Sequence, residues 1–136
     1  MLVKDIMSKN LITVKETDTL QHAAELMQQY DIGILPVVCD EKLCGVITDR
    51  DIVTRGVCKS GDVCEIKVSD CMSKSTICAN PEQDVHDAAK TMAAQQIRRV
   101  PVTENGCLCG ILSIGDISKN GCDAEVAQAM CEISKP

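Results

Sequence analysis

The chain has 136 residues, 45% of them hydrophobic, a formal net charge of −6 and one aromatic residue, Tyr30. Any core must be assembled from Ile, Val, Leu, Met, Ala and Cys. Base stacking on aromatic rings is excluded, and the acidic balance argues against the basic surface that a phosphate backbone requires, so direct nucleic-acid binding is not expected.

The opening stretch, Met1 to Lys15, interleaves charges with apolar residues. It has neither the apolar region of a signal peptide nor that of a membrane span, and a cytoplasmic protein is expected. The first element is a short apolar strand at Leu11 to Val14. A helix follows, with Thr19 as N-cap and Leu20, Ala23, Ala24 and Met27 at i, i+3, i+4, i+7 spacing. Gly33 to Val38 is an apolar strand in which Pro36 either removes one ladder bond or marks the strand entry. The polar turn Asp40-Glu41-Lys42 leads into a second strand, Leu43 to Thr48, and the two form a hairpin. Asp51 to Arg55 can begin a closing helix.

The same order then recurs. Residues 3–55 laid on 68–120 without a gap give 17 identical pairs, among them Asp5/Asp70, Met7/Met72, Ser8/Ser73, Pro36/Pro101, Gly45/Gly110 and Asp51/Asp116. Asp84 takes the capping place of Thr19, ahead of Val85, Ala88, Ala89 and Met92. Each copy is too short to bury a good core alone, so the copies should pack on each other. Gly56 to Lys67 reads as a polar linker. Gly121 interrupts the chain after the second copy, and Ala124 to Ile133 is a helix-compatible tail with Val126, Ala129, Met130 and Ile133 on one face. That face is covered either by the chain's own core or by a second subunit.

Each hairpin ends in the same pattern, Gly45-Val46-Ile47-Thr48-Asp49-Arg50-Asp51 and Gly110-Ile111-Leu112-Ser113-Ile114-Gly115-Asp116. A hydroxyl and a carboxylate three residues apart at a strand-to-helix junction suit a ribose diol, and free helix N–H groups beside them suit a phosphate. The alternative is that Thr48 and Ser113 cap the helices, with Asp51 and Asp116 favouring the dipole. The only four arginines, Arg50, Arg55, Arg98 and Arg99, all lie in or near these motifs, as a pocket for an anion would require.

Ten cysteines include no C-x-x-C spacing, and thiols are expected in a reducing cytosol. Cys44 and Cys109, at equivalent positions, read as small buried hydrophobes. No metal is expected. If one binds, Cys39, Cys44, Cys107 and Cys109 are the first place to look. His22 and His86 read as exposed helix residues, and Met7 and Met72 as core or as the floor of a ligand site. Without a nucleophile elbow, a Walker loop or a paired histidine and carboxylate, no catalytic constellation can be assembled.

At these residues the sequence resembles the cystathionine β-synthase (CBS) domain family, in the form of a stand-alone tandem pair, the Bateman module, of small bacterial or archaeal type. The resemblance runs from 3 to 120. It rests on the Asp5-Ile6-Met7-Ser8-Lys9 opening, the Thr19-Leu20 and Ala23-Ala24 helix, the strands at Ile34 to Val38 and Arg99 to Val102, and both hydroxyl-to-aspartate motifs.

The resemblance implies an α+β fold of two pseudo-twofold-related β-α-β-β-α repeats packed through their sheets. Repeat one would span 3–55, a linker 56–67, repeat two 68–120 and a helical tail 121–136. It implies a non-enzymatic sensor without a required cofactor, binding AMP, ADP, ATP or S-adenosylmethionine in two crossed clefts between the repeats. Site one would hold Thr48, Arg50, Asp51, Met72, Ile77, Ile97 and Arg98. Site two would hold Met7, Ile12, Ile32, Gly33, Arg99, Ile111, Ser113 and Asp116. The family's phosphate-contacting arginine is matched by Arg99 but is Ile34 in the first copy, and Gly115 stands where the first copy has Arg50, so the clefts should be unequal. A homodimer and an unidentified protein target are also implied, with no membrane partner. The alternative is a structural, metal-responsive or redox-responsive module that uses its cysteines and has vestigial clefts.

Overall fold

The computed structural model describes residues 1–59, 62–74, 76–120 and 133. The fold is α+β. In chain order the elements are α1 (Val3–Ile6), β1 (Val14–Lys15), α2 (Leu20–Tyr30), β2 (Ile34–Cys39), β3 (Lys42–Thr48) and α3 (Asp49–Asp51), which runs on as a π-helix over Ile52–Val57. Then come α4 (Val68–Cys71), α5 (Val85–Gln95), β4 (Arg99–Glu104), β5 (Cys107–Ser113) and α6 (Ile114–Lys119). Among the described residues no helix is long and apolar enough to cross a membrane.

Two compact units form, and neither is a contiguous repeat. The first is Ile12–Thr76; the second joins Met1–Leu11 to the chain from Ile77 onward. The copies have thus exchanged their opening segments. In the first unit the Ser73 amide donates to Val46 O at 2.9 Å and the Val46 amide returns a bond to Ser73 O at 3.0 Å. In the second unit Ser8 and Ile111 make the same reciprocal pair, at 2.8 and 3.0 Å. The hairpin glycines make the approach possible: a Cβ on Gly45 would stand 2.5 Å from Ser73 O, and one on Gly110 would stand 2.5 Å from Met7 Sδ.

In the first unit β1 lies parallel to β2, with Val14 beside Val37 and Lys15 beside Val38. β2 and β3 are antiparallel from the Ile34/Thr48 pair to the Cys39/Lys42 pair, with a bulge at Val37/Val38. β4 and β5 repeat this in the second unit, from Arg99/Ser113 to Glu104/Cys107 with the bulge at Val102/Thr103. The strand read at Leu11 to Val14 is shorter than expected. It pairs only through Val14 and Lys15, and its counterpart in the second copy is reduced to one bridge, Ala79 to Val102.

The helices start where their caps predict. Thr19 Oγ1 accepts from the His22 amide at 3.2 Å, and Asp84 Oδ1 accepts from the His86 amide at 2.8 Å. Both helices stop on a left-handed residue, Asp31 (φ 53°) and Gln96 (φ 56°). Both hairpins turn through two residues of positive φ, Asp40-Glu41 (50° and 69°) and Asn105-Gly106 (54° and 81°), which matches the twist of the strands they join. The closing helix of the first copy begins two residues earlier than the sequence suggests, at Asp49.

The two cores match at six positions and differ on the helix, where Ala89 and Ala93 are buried but their counterparts Ala24, read from the sequence as part of the apolar stripe, and Gln28 are exposed. Leu20, Met27, Leu35, Val37, Ile47 and Ile52 in the first unit correspond to Val85, Met92, Val100, Val102, Leu112 and Ile117 in the second. Each core is closed by the other copy's opening helix: Val68 is fully buried in the first and Val3 in the second. The linker is partly structural, since Ile66 O and Val63 O accept from the Leu20 and Gln21 amides at 3.0 Å each. Of the tail only Ile133 is described, helical and half-buried against the second unit's core. Val126, Ala129 and Met130 lie outside the described residues.

Candidate functional site

The strand-to-helix junction is built identically in both units. Thr48 is extended (φ −111°, ψ 162°), its hydroxyl accepts from the Asp51 amide at 3.1 Å, and Asp51 Oδ2 accepts from the Thr48 amide at 3.0 Å. Ser113 and Asp116 make the same exchange, at 3.0 Å in both directions. These are reciprocal capping boxes. The capping role is therefore filled in both copies, and it fixes each half-buried carboxylate through Oδ2 while Oδ1 stays outside the box.

The surroundings of the two carboxylates differ. Arg55 Nε lies 3.8 Å from Asp51 Oδ1, and its guanidinium reaches Cys71 O at 3.4 Å. At the start of α3 the Asp49 amide donates to Gly33 O at 3.0 Å and the Arg50 amide to Asp49 Oδ1 at 2.8 Å. With the Asp51 amide on Thr48, three successive amides are taken, so this helix start does not offer the free N–H groups expected for a phosphate. In the second unit the Ile114 amide donates to Arg98 O at 3.0 Å. Ile114 has no side-chain acceptor to repeat what Asp49 does, so the Gly115 amide is not closed off in that way.

The residues of the two expected sites are distributed as follows. Ile12, Ile32, Gly33, Thr48, Arg50, Asp51 and Met72 belong to the first unit, and Met7, Ile77, Ile97, Arg98, Arg99, Ile111, Ser113 and Asp116 to the second. Register places Ile34 beside Thr48 and Arg99 beside Ser113. Arg50, Arg98 and Arg99 are exposed. Met72 is part of the first core and Met7 packs against the second, so both methionines serve packing. Ile12 and Ile32 pack on the first core and Ile97 on the second, whereas Ile77 is 40% exposed. His22 and His86 are exposed, as read from the sequence.

The eight described cysteines are free thiols. Of the four considered for a metal, Cys39 and Cys44 lie in the first unit, and Cys107 and Cys109 lie on β5 of the second. Cys39 and Cys44 meet, Sγ to Sγ, at 2.9 Å. Glu16 joins them, a residue the sequence did not single out. Only the parallel register of β1 on β2, which sets Lys15 beside Val38, brings residue 16 to that end of the sheet.

Comparison with known proteins places these features. The CBS domain family model matches residues 3–57 and 68–121. The CBS domain-containing protein YhcV of Bacillus subtilis is 39% identical over 133 residues, covering 97% of this chain and 94% of its own. Solved structures are similar as well. Hypoxic Response Protein I with two coordinated zinc ions is 32% identical, with a TM-score of 0.80 over 88% of this chain and 98% of its own. The CBS domain pair of protein MJ0100 in complex with 5'-methylthioadenosine and S-adenosyl-L-methionine is 29% identical, with a TM-score of 0.77 over 91% and 98%. CBSX2 in complex with AMP is 27% identical, with a TM-score of 0.78 over 91% and 98%.

Proposed function

The chain belongs to the CBS domain family, and from that premise we propose that it is a regulatory protein that binds an adenosyl ligand, AMP, ADP, ATP or S-adenosylmethionine, and catalyses no reaction itself. The observation that carries this reading is the duplicated junction. In each unit a carboxylate is locked by its capping box through Oδ2, which pre-orients Oδ1 to accept from a ribose diol. The AMP complex of CBSX2 and the S-adenosylmethionine complex of the MJ0100 pair support the ligand class.

The two junctions are unequal. Asp51 Oδ1 already faces Arg55, whereas the Ser113/Asp116 junction has Arg99 beside the hydroxyl and a Gly115 amide without the Asp49-type side-chain acceptor. The second junction is the stronger ribose-phosphate end on this reading. Ligand would act by shifting the population toward the conformation that holds it tighter, to the extent of its differential affinity. Val53 and Val57, one turn apart on the π-helix, are 55% and 48% exposed, and on this reading they would be covered by a second copy. A cytoplasmic homodimer is part of the proposal.

Titration calorimetry with AMP, ADP, ATP and S-adenosylmethionine tests it. Saturable heat from at least one ligand is expected, weakened by Asp116→Asn more than by Asp51→Asn. No heat and no thermal shift from any of the four would overturn the reading.

A further inference from the structure

We propose that Glu16, Cys39 and Cys44 form a binding site for a thiophilic divalent cation, Zn2+, on the first unit, separate from the Thr48/Asp51 junction. One ligating atom from each of the three lies within 4.8 Å of the other two, and all three residues are half-buried. Among the described residues this is the one such group of three or more.

The fold delivers the three ligands from three adjacent strands. Cys39 is the last residue of β2, Cys44 lies in β3 just past the hairpin turn, and Glu16 follows the end of β1. The bulge at Val37/Val38 sets Cys44 out of simple alternation. The hairpin register fixes the distance from the junction: Cys39 pairs with Lys42 at the turn end, and Ile34 pairs with Thr48 at the other.

The second copy separates what packing needs from what it does not. Cys44 Sγ donates to Val37 O at 3.3 Å, and its counterpart Cys109 makes the same bond to Val102 O at 3.3 Å. A half-buried thiol on a bulge carbonyl, rather than the fully buried one the sequence suggests, is therefore a feature of the repeat. Cys39 and Glu16 are not: their counterparts are Glu104 and Pro81. The first copy adds a second sulfur and a carboxylate around a thiol that the fold already holds. No ion pair among the described residues reaches Glu16, and the side-chain partner of its half-buried carboxylate is the Cys39 thiol.

Two thiolates and one carboxylate suit Zn2+ by ligand softness, and leave its fourth tetrahedral position to water. With Zn–S near 2.3 Å, tetrahedral thiolates stand about 3.8 Å apart. The sulfurs must therefore separate from 2.9 Å, which rotation about χ1 supplies without moving the strands. Both thiol protons leave to solvent on binding and no electron is transferred.

The test is titration of the reduced full chain, under anaerobic conditions, with Co2+ as a spectroscopic probe followed by Zn2+. One equivalent of Co2+ should give a thiolate-to-cobalt charge-transfer band that one equivalent of Zn2+ abolishes. Cys39→Ser and Cys44→Ser should each remove the band, Glu16→Gln should raise the cobalt dissociation constant at least ~10-fold, and Cys109→Ser should change nothing. Absence of the band in the unmodified protein overturns the proposal without reliance on any variant. Persistence of the band in both cysteine variants overturns it as well, and an unaltered affinity in Glu16→Gln overturns the three-ligand assignment.

Discussion

Thr48 and Asp51 each satisfy the other's backbone amide, hydroxyl to one at 3.1 Å and carboxylate to the other at 3.0 Å. A residue placed to recognise a ribose is thus also a structural clamp, and its removal tests two things at once. Asp51→Ala should cost about 1 kcal/mol of stability from the lost cap. Asp51→Asn keeps an acceptor for the Thr48 amide and should unfold close to the parent. Comparing the two by denaturant unfolding and by calorimetry separates the clamp from ligand recognition. The same pair at Asp116 should lose more binding, about 10-fold or beyond for Asn, as expected for a charge-assisted hydrogen bond.

The hairpin glycines are not equally strict. A Cβ at Gly45 meets the Ser73 backbone oxygen at 2.5 Å, whereas at Gly110 the atom met at 2.5 Å is the Met7 thioether sulfur, with Ser8 O at 3.0 Å. A thioether swings aside more readily than a strand carbonyl. Gly45→Ala should therefore destabilise by about 2–3 kcal/mol and Gly110→Ala by about 1 kcal/mol. Midpoints of urea unfolding decide the order.

Glu41 sits at φ 69° in a turn whose counterpart uses Gly106 at φ 81°. A side chain there is strained. Glu41→Gly should raise stability by about 0.5 kcal/mol, the relief of strain exceeding the entropy cost of glycine. Gly106→Ala should lower it by about 1 kcal/mol, with the denaturant slope unchanged in both.

Burial pushes the Cys71 thiol above its usual 9.0, with Asp70 and Asp51 adding to the rise, and burial does the same for Cys109. A thiol whose folded pKa is raised gives stability that is complete below the unfolded pKa and lost as pH climbs through the folded value. Stability should therefore hold through neutral pH and begin to fall above about pH 9. Cys71→Ala should reduce that alkaline slope, read from unfolding midpoints across the range. An alkaline slope identical to the parent's would mean that Cys71 does not contribute.

Much of this was legible from residues alone, because it is local. Thr19 and Asp84 announce their helices, the polar Asp40-Glu41 turn falls between apolar runs, and the repeat offset carries each feature of one copy to the other. The exchange of opening segments was not readable from the local pattern. Ser8 and Ser73 are identical, Gly45 and Gly110 are identical, and nothing local says which serine docks on which hairpin; only the resemblance pointed across the copies. Glu16 was missed for the same reason, since its partners are set by a parallel register between β1 and β2. The fate of the helix-start amides was misjudged because Asp49 was read as a spacer inside the motif, when its side chain and Gly33 O take two of the three.

The Ser8/Ile111 and Ser73/Val46 pairs carry a meaning beyond the present molecule. A polypeptide holding a single copy would have a leading segment with nothing to cover and a hairpin notch with nothing to receive. Two such chains could complete each other only by trading ends. The arrangement is the one that fusing a swapped pair of identical subunits head to tail would give, and it makes the trade a matter of chain length rather than of concentration.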